Sequence, residues 1–211
     1  MDLVAYLDES RKPVRDPATG RVADGGEHYV VAAAVVFGTE ADRIRASLLA
    51  IERDLGFALH YGELRSRARR IAVVDAIVLL PDWDGYLFET ARPVDFRRRS
   101  EHAIRAAILA EAFPTLEVDA GVGSIVLESR AMVTDVAGVI DTKDLDVLRH
   151  VHKSGRVSGA LQIGHAPKNE AILAIADVIA GARGDFICGA DRGVYPRLAH
   201  RIRGPVCRVS V

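Results

Sequence analysis

The stretch LVAYLDESRK, residues 3–12, decides how this chain is read. Leu3, Val4, Ala5, Tyr6 and Leu7 run straight into Asp8 and Glu9. An apolar run bounded by polar residues predicts a strand over residues 3–8. Ionised carboxylates resist burial unless they are paired or coordinate a metal, so two of them closing a strand call for a reason. Successive strand residues point to opposite faces, which predicts that Asp8 and Glu9 are not equivalent. Two later stretches repeat the oddity. GSIVLESRA, residues 123–131, reads as a strand ending on Glu128, and in AILAIADVIAGA, residues 171–182, Asp177 is the only charge.

Outward from these, residues 11–27 are rich in Pro, Gly and Asp and predict a polar loop. HYVVAAAVVFG, residues 28–38, predicts a second strand, apolar on both faces and therefore central in a covered sheet. Residues 39–56 predict a helix with Thr39 as N-cap and Gly56 as its stop. Residues 65–81 predict a helix closed by Pro81, residues 84–92 a strand, and residues 95–113 a helix with Asp95 near its start. One or two helical turns are expected within 132–154, a strand over 156–166, and a helix over 167–187 started by Pro167. The tail, 195–211, predicts a short helix and a last strand. Strands first, then helices alternating with strands, define a mixed α/β layer fold with a helix-covered sheet. Such open sheets take ligands beyond their strand ends.

The bulk properties narrow the function. At 211 residues, 49% hydrophobic and 27% charged, the chain predicts a single domain over 1–211. A net charge of -1 gives no global basic field. There are 24 Arg against four Lys, a usage that GC-rich bacterial coding produces. Cys188 and Cys207 form neither a disulfide framework nor a zinc spacing, so a reducing cytoplasm is the expected compartment. The longest apolar runs, YVVAAAVVF and AILAIA, are too short to span a bilayer, and no membrane association is expected.

The three acids invite one chemistry. If the strands ending in Asp8 and Glu128 are neighbours, both carboxylates reach one sheet edge. Residues 173, 177, 180, 181 and 184 share a helical stripe, and the small Ala180, Gly181 and Gly184 would let that helix approach the sheet and carry Asp177 there. Crowded carboxylates take up protons unless a cation offsets their repulsion. Oxygen donors without a Cys or His cluster favour Mg²⁺ or Mn²⁺, cations that assist in-line phosphoryl displacement. The plainer alternatives are solvated strand ends, helix caps, or pairing with Arg.

YLDES, then YVVAAAVVF, then LHYGELR at residues 59–65, and finally AILAIADVIAGA together resemble the domain-of-unknown-function 3800 family. The resemblance runs over nearly the whole chain and implies a ribonuclease H-like, retroviral integrase-like fold. It implies that Asp8, Glu128 and Asp177 are metal-binding acids, with Glu9 and Glu63 as further catalytic candidates. This chain has Arg11 where the family has Gly, Ala174 where Gln is common, and Glu128 where many relatives carry Asp.

His60 and Glu63 could line the cleft, His60 as a proton shuttle, or could pack locally and cap a helix. Lys168 and Asn169 could meet substrate phosphate at a helix N-terminus or be ordinary loop residues. His150 and His152 do not share a helical face, which argues against a metal pair. Arg97–Arg99 and the run Arg65, Arg67, Arg69 and Arg70 could be solvated faces or a nucleic-acid track. With 6% aromatic residues the chain shows no stacking platform for single strands. The expectation is a metal-dependent phosphodiester hydrolase acting on nucleic acid. Its rivals are an inert module binding nucleic acid or protein, and a hydrolase of a small phosphorylated molecule.

Overall fold

The computed structural model describes residues 2–16, 18–129 and 137–211. Six strands, β1 (Leu3–Arg15), β2 (Val22–Phe37), β3 (Trp83–Thr90), β4 (Val122–Glu128), β5 (Gln162–Ala166) and β6 (Cys207–Val209), form one sheet in the order β5-β4-β1-β2-β3-β6. β2 runs antiparallel to β1 and β3. The pairs β1–β4, β4–β5 and β3–β6 are parallel. The helices are α1 (Ala41–Leu55), α2 (Arg67–Val78), α3 (Glu101–Ala120), α4 (Ala137–Lys153) and α5 (Leu173–Ile187).

Strand alternation sorts two cores. Tyr6, Val30, Ala32, Ala34 and Val36 face α1, α2 and α5. Ala5, Leu7, Val31, Ala33 and Val35 face α3 and α4. β2 therefore shows apolar side chains on both faces, as its sequence requires.

Several boundaries depart from the sequence reading. The polar loop expected over 11–27 is largely hairpin: β1 continues to Arg15 and β2 begins at Val22, with a register shift between Pro13 and Arg15. Backbone pairing and the Arg11–Glu27 ion pair hold these polar residues extended. The turn is tied by Asp16, whose carboxylate accepts from the amides of Ala18 and Thr19, both at 2.8 Å. Thr39 is not an N-cap, because a 3₁₀ turn over Gly38–Glu40 leads directly into α1. Gly56 ends α1 at φ 72°, a conformation that glycine adopts freely. Asp95 stands before α3, which starts after Ser100, whose hydroxyl caps the amide of Ala103 at 3.2 Å.

Two helices also differ. The region 132–154 holds a 17-residue helix rather than one or two turns, with residues 132–136 lying outside the described residues. Asp144, Val147, Leu148 and Val151 recur at helical spacing and are buried beneath α3. α5 begins at Leu173, not at Pro167. No helix among the described residues is long and apolar enough to cross a membrane.

Candidate functional site

The parallel pairing of β1 with β4 runs through Tyr6↔Val126 and Leu7↔Leu127. The next residues on the two strands are Asp8 and Glu128. Both follow side chains of the α5 face, since Tyr6 belongs to that core and Val126 packs against it. α5 crosses β1 and β2 on the same face and brings Asp177 to the same place.

The small residues make that approach possible. A Cβ on Gly181 would stand 2.3 Å from the Tyr61 ring, and one on Gly184 would stand 2.7 Å from Cγ of Lys12. No larger residue fits either position without displacing its neighbour.

Asp8 is buried, at 7% exposure. Burial drives its carboxyl well above the usual carboxylate range, the charges of Asp177 and Glu128 push it further, and so does a hydrogen bond with Glu128. Arg105, across the sheet, opposes the shift. Oδ1 of Asp8 accepts from the Glu9 amide at 2.7 Å. Oδ2 of Asp177 accepts from the Tyr61 amide at 2.9 Å and lies 3.3 Å from His60 Nδ1. That hydrogen bond raises the His60 pKa, burial opposes it, and nearby Lys168 and Glu63 push it down and up respectively.

The other buried acids set the contrast. Asp144 takes a bidentate pair from Arg105 at 3.0 and 2.9 Å. Glu89 takes one from Arg183 at 2.8 and 2.9 Å. Asp185 is held by Arg70 at 2.9 Å and Lys12 at 3.2 Å. Among the described residues, Asp8 is the buried acid with no cation in contact and two further carboxylates beside it.

Glu9 points to the opposite face, as strand alternation predicts, and there it meets Arg105. Arg105 is 3% exposed and joins Glu9 to Asp144, which His165 approaches at 3.3 Å. Burial raises the Asp144 pKa, but the hydrogen bonds and charges of His165 and Arg105 outweigh it and leave the carboxyl below its ordinary value. The sequence reading missed this network. Arg105 lies on one stripe with Ile108, Leu109 and Ala112, the same signal of a lone charge among apolar positions that exposed Asp177.

The remaining candidates lie at the rim. Glu63 is exposed in a 3₁₀ turn over Tyr61–Glu63, and its amide bonds the His60 carbonyl at 3.0 Å. Lys168 and Asn169 are exposed between β5 and α5. They do not sit at a helix N-terminus, because α5 starts four residues after Asn169. Arg67 pairs with Asp191 and Arg70 with Asp185, so that run is partly structural.

The donor set of Asp8, Glu128 and Asp177 is all oxygen, which suits a hard divalent cation. Among the described residues no three His, Cys, Asp or Glu side chains stand as a finished ligand cage. The charges of Glu128 and Asp177 both act on Asp8.

No family model matches the chain, and no curated protein matches it. Among solved structures it is similar to a chain of the PCNA:RNase HII complex from Archaeoglobus fulgidus, with a TM-score of 0.50 and 17% identity, over 99% of this chain and 94% of that one. The fold is ribonuclease H-like: a mixed sheet covered by helices in a single domain.

Proposed function

We propose that this chain is a Mg²⁺- or Mn²⁺-dependent phosphodiester hydrolase, nuclease-like, and a member of the domain-of-unknown-function 3800 family. One observation carries the reading: among the described residues Asp8 is buried beside Asp177 and Glu128 with no cation in contact, while the other buried acids are paired with Arg. A cluster that repels itself in the free protein is a cluster built for a cation. Asp8, Glu128 and Asp177 would hold it. When bound, such a cation supplies water activation and charge at the leaving oxygen.

The chain's own residues supply the rest. Strand pairing fixes Asp8 and Glu128 side by side, so little reorganisation is needed when substrate arrives. The Tyr61 amide anchors one oxygen of Asp177 and leaves the other for a ligand. His60 faces Asp177 through Nδ1, which leaves Nε2 to accept or release a proton. Glu63 and Lys168 act on His60, and with Asn169, exposed on the same loop as Lys168, they are the proposed polar rim for substrate. Glu9 acts less directly, because Arg105 draws it to the reverse face. Nucleic acid is the proposed substrate and the cytoplasm the proposed compartment.

The test is cleavage of labelled single- and double-stranded DNA and RNA by wild type and Asp8→Asn, with Mn²⁺ or EDTA. The reading expects Mn²⁺-dependent cleavage by wild type alone, and equal activity in the variant overturns it. A second reading, an inert module binding nucleic acid or protein, is favoured by the unfinished ligand cage. It would bind nucleic acid and cleave none in the same assay.

A further inference from the structure

Most exposed arginines of this chain are neutralised. Arg149 pairs with Asp146 at 2.6 Å, and Arg156 with Glu111, Arg197 with Asp75 and Arg203 with Asp84 at 2.7 Å each. Arg15, Arg21, Arg65, Arg69 and Arg192 are exposed without an ion pair among the described residues, and the loop over residues 91–99 gathers three more such arginines. Arg92, Arg97 and Arg99 are exposed and make no ion pair among the described residues. Arg98 is 86% exposed and lies 3.3 Å from Asp95. Asp95 also fixes the backbone that displays them. Its carboxylate accepts from the Arg97 amide at 3.0 Å, and its carbonyl accepts from the amides of Arg98 and Arg99 at 3.0 and 3.2 Å.

Three cavities join along this loop. One of about 530 Å³ is lined by Arg92, Arg98 and Arg99. It shares Pro93, Val94 and Asp95 with a cavity of about 710 Å³ that Arg97 lines. On its other side it shares Ala91 with a cavity of about 540 Å³ lined by Arg192 and Arg208. The acids along the way are engaged: Glu27 and Glu101 with Arg11, and Glu89 with Arg183. Arg208 is also paired with Glu89, at 3.3 Å, so the result is a groove made of adjacent depressions, whose unpaired charge among the described residues is that of Arg92, Arg97, Arg99 and Arg192.

We propose that this groove docks the phosphodiester backbone of a nucleic-acid duplex. Guanidinium groups match phosphate geometry and stay charged at any working pH. Of the groove's aromatic rings, Phe96 is covered by Arg11 at 4.1 Å and tilted against Tyr29, and Phe186 lies under Arg183 at 5.5 Å and is tilted against Tyr195, so neither is an open platform for unpaired bases. Contact is therefore with backbone rather than bases. The groove includes Arg11, which stands with Glu101 and Phe96 on the α3 face of the sheet, the reverse of the face that carries Asp8. The choice of nucleic acid over another polyanion rests on the proposed hydrolase reading.

The experiment measures binding of a labelled DNA duplex in EDTA, which removes cleavage, at salt between about 50 and 200 mM. The variant is the triple Arg92→Gln, Arg97→Gln, Arg99→Gln. A control variant carries Arg149→Gln and Arg156→Gln. Each lost phosphate contact lowers the slope of log affinity against log salt by about 0.9, so the triple variant should flatten it by about 2 to 3 and the control should leave it unchanged. The triple variant removes no ion pair, so its melting temperature should match wild type. Absence of duplex binding by wild type, an unchanged slope in the triple variant, or a single strand binding more tightly than the duplex overturns the proposal. Duplex binding without Mn²⁺-dependent cleavage supports the groove and overturns the hydrolase reading instead.

Discussion

At the scale of single residues, Asp8 and Asp177 respond differently to substitution. Burial, and then its acidic neighbours, push the Asp8 carboxyl well above its ordinary range. Its folded pKa lies above the unfolded value of about 3.9, so the native state binds the extra proton between the two. Stability of the metal-free protein therefore falls as pH rises through that window. Asp8→Asn should abolish this fall and raise the neutral-pH melting temperature of the metal-free protein. It should also weaken Mn²⁺ binding by at least the ~10–100-fold that losing an outer-shell partner costs. A pH series of thermal melts with and without Mn²⁺ reads both effects, and a variant less stable than wild type at neutral pH would count against the account. Asp177 instead accepts from the buried Tyr61 backbone. Asp177→Asn keeps that acceptor and should be nearly neutral without metal. Asp177→Ala orphans the amide and should cost about 1–3 kcal/mol by denaturant unfolding.

At the scale of elements, α5 and α3 brace the site from opposite faces. Gly181→Ala would drive a Cβ into the fixed Tyr61 ring, an overpacking cost of about 1–3 kcal/mol, and would displace Asp177 with the helix. Mn²⁺ affinity should fall with stability. Arg105→Ala would leave the buried Asp144 without its bidentate partner and should cost about 3–5 kcal/mol. Restoration of stability by a further Asp144→Ala would verify that the loss is uncompensated charge. The strands and α5 were legible because apolar runs and a lone Asp carry their meaning locally. Helix α4 was not, since Val147, Leu148 and Val151 sit among charges and become a face only beneath α3. Nor was the hairpin extension over 9–15 and 22–27 legible, because Pro, Gly and Asp favour turns and only cross-strand pairing overrides them. Asp8, Glu128 and Asp177 were singled out from sequence, and in the structure the charges of Asp177 and Glu128 bear on Asp8, though among the described residues the three do not form a group that could hold a metal. The Arg105 network required the fold, because its partners come from β1, α4 and β5.

At the scale of the whole molecule, the sheet separates two electrostatic regimes. On the α3 and α4 face, the buried Asp144 and the part-buried Glu9 meet Arg105. On the α5 face, midway along β1 and at the end of β4, acid meets acid. A ligand that binds only the folded state raises stability by mass action, so Mn²⁺ at a hundredfold excess over its dissociation constant should add about 2.7 kcal/mol. The most direct test of this arrangement is anomalous diffraction from crystals soaked in Mn²⁺. The account predicts a peak between Asp8, Glu128 and Asp177, with Asp8 oxygen about 2 Å away. An empty cluster at saturating Mn²⁺, with Asp8 still hydrogen-bonded to Glu128, would contradict it.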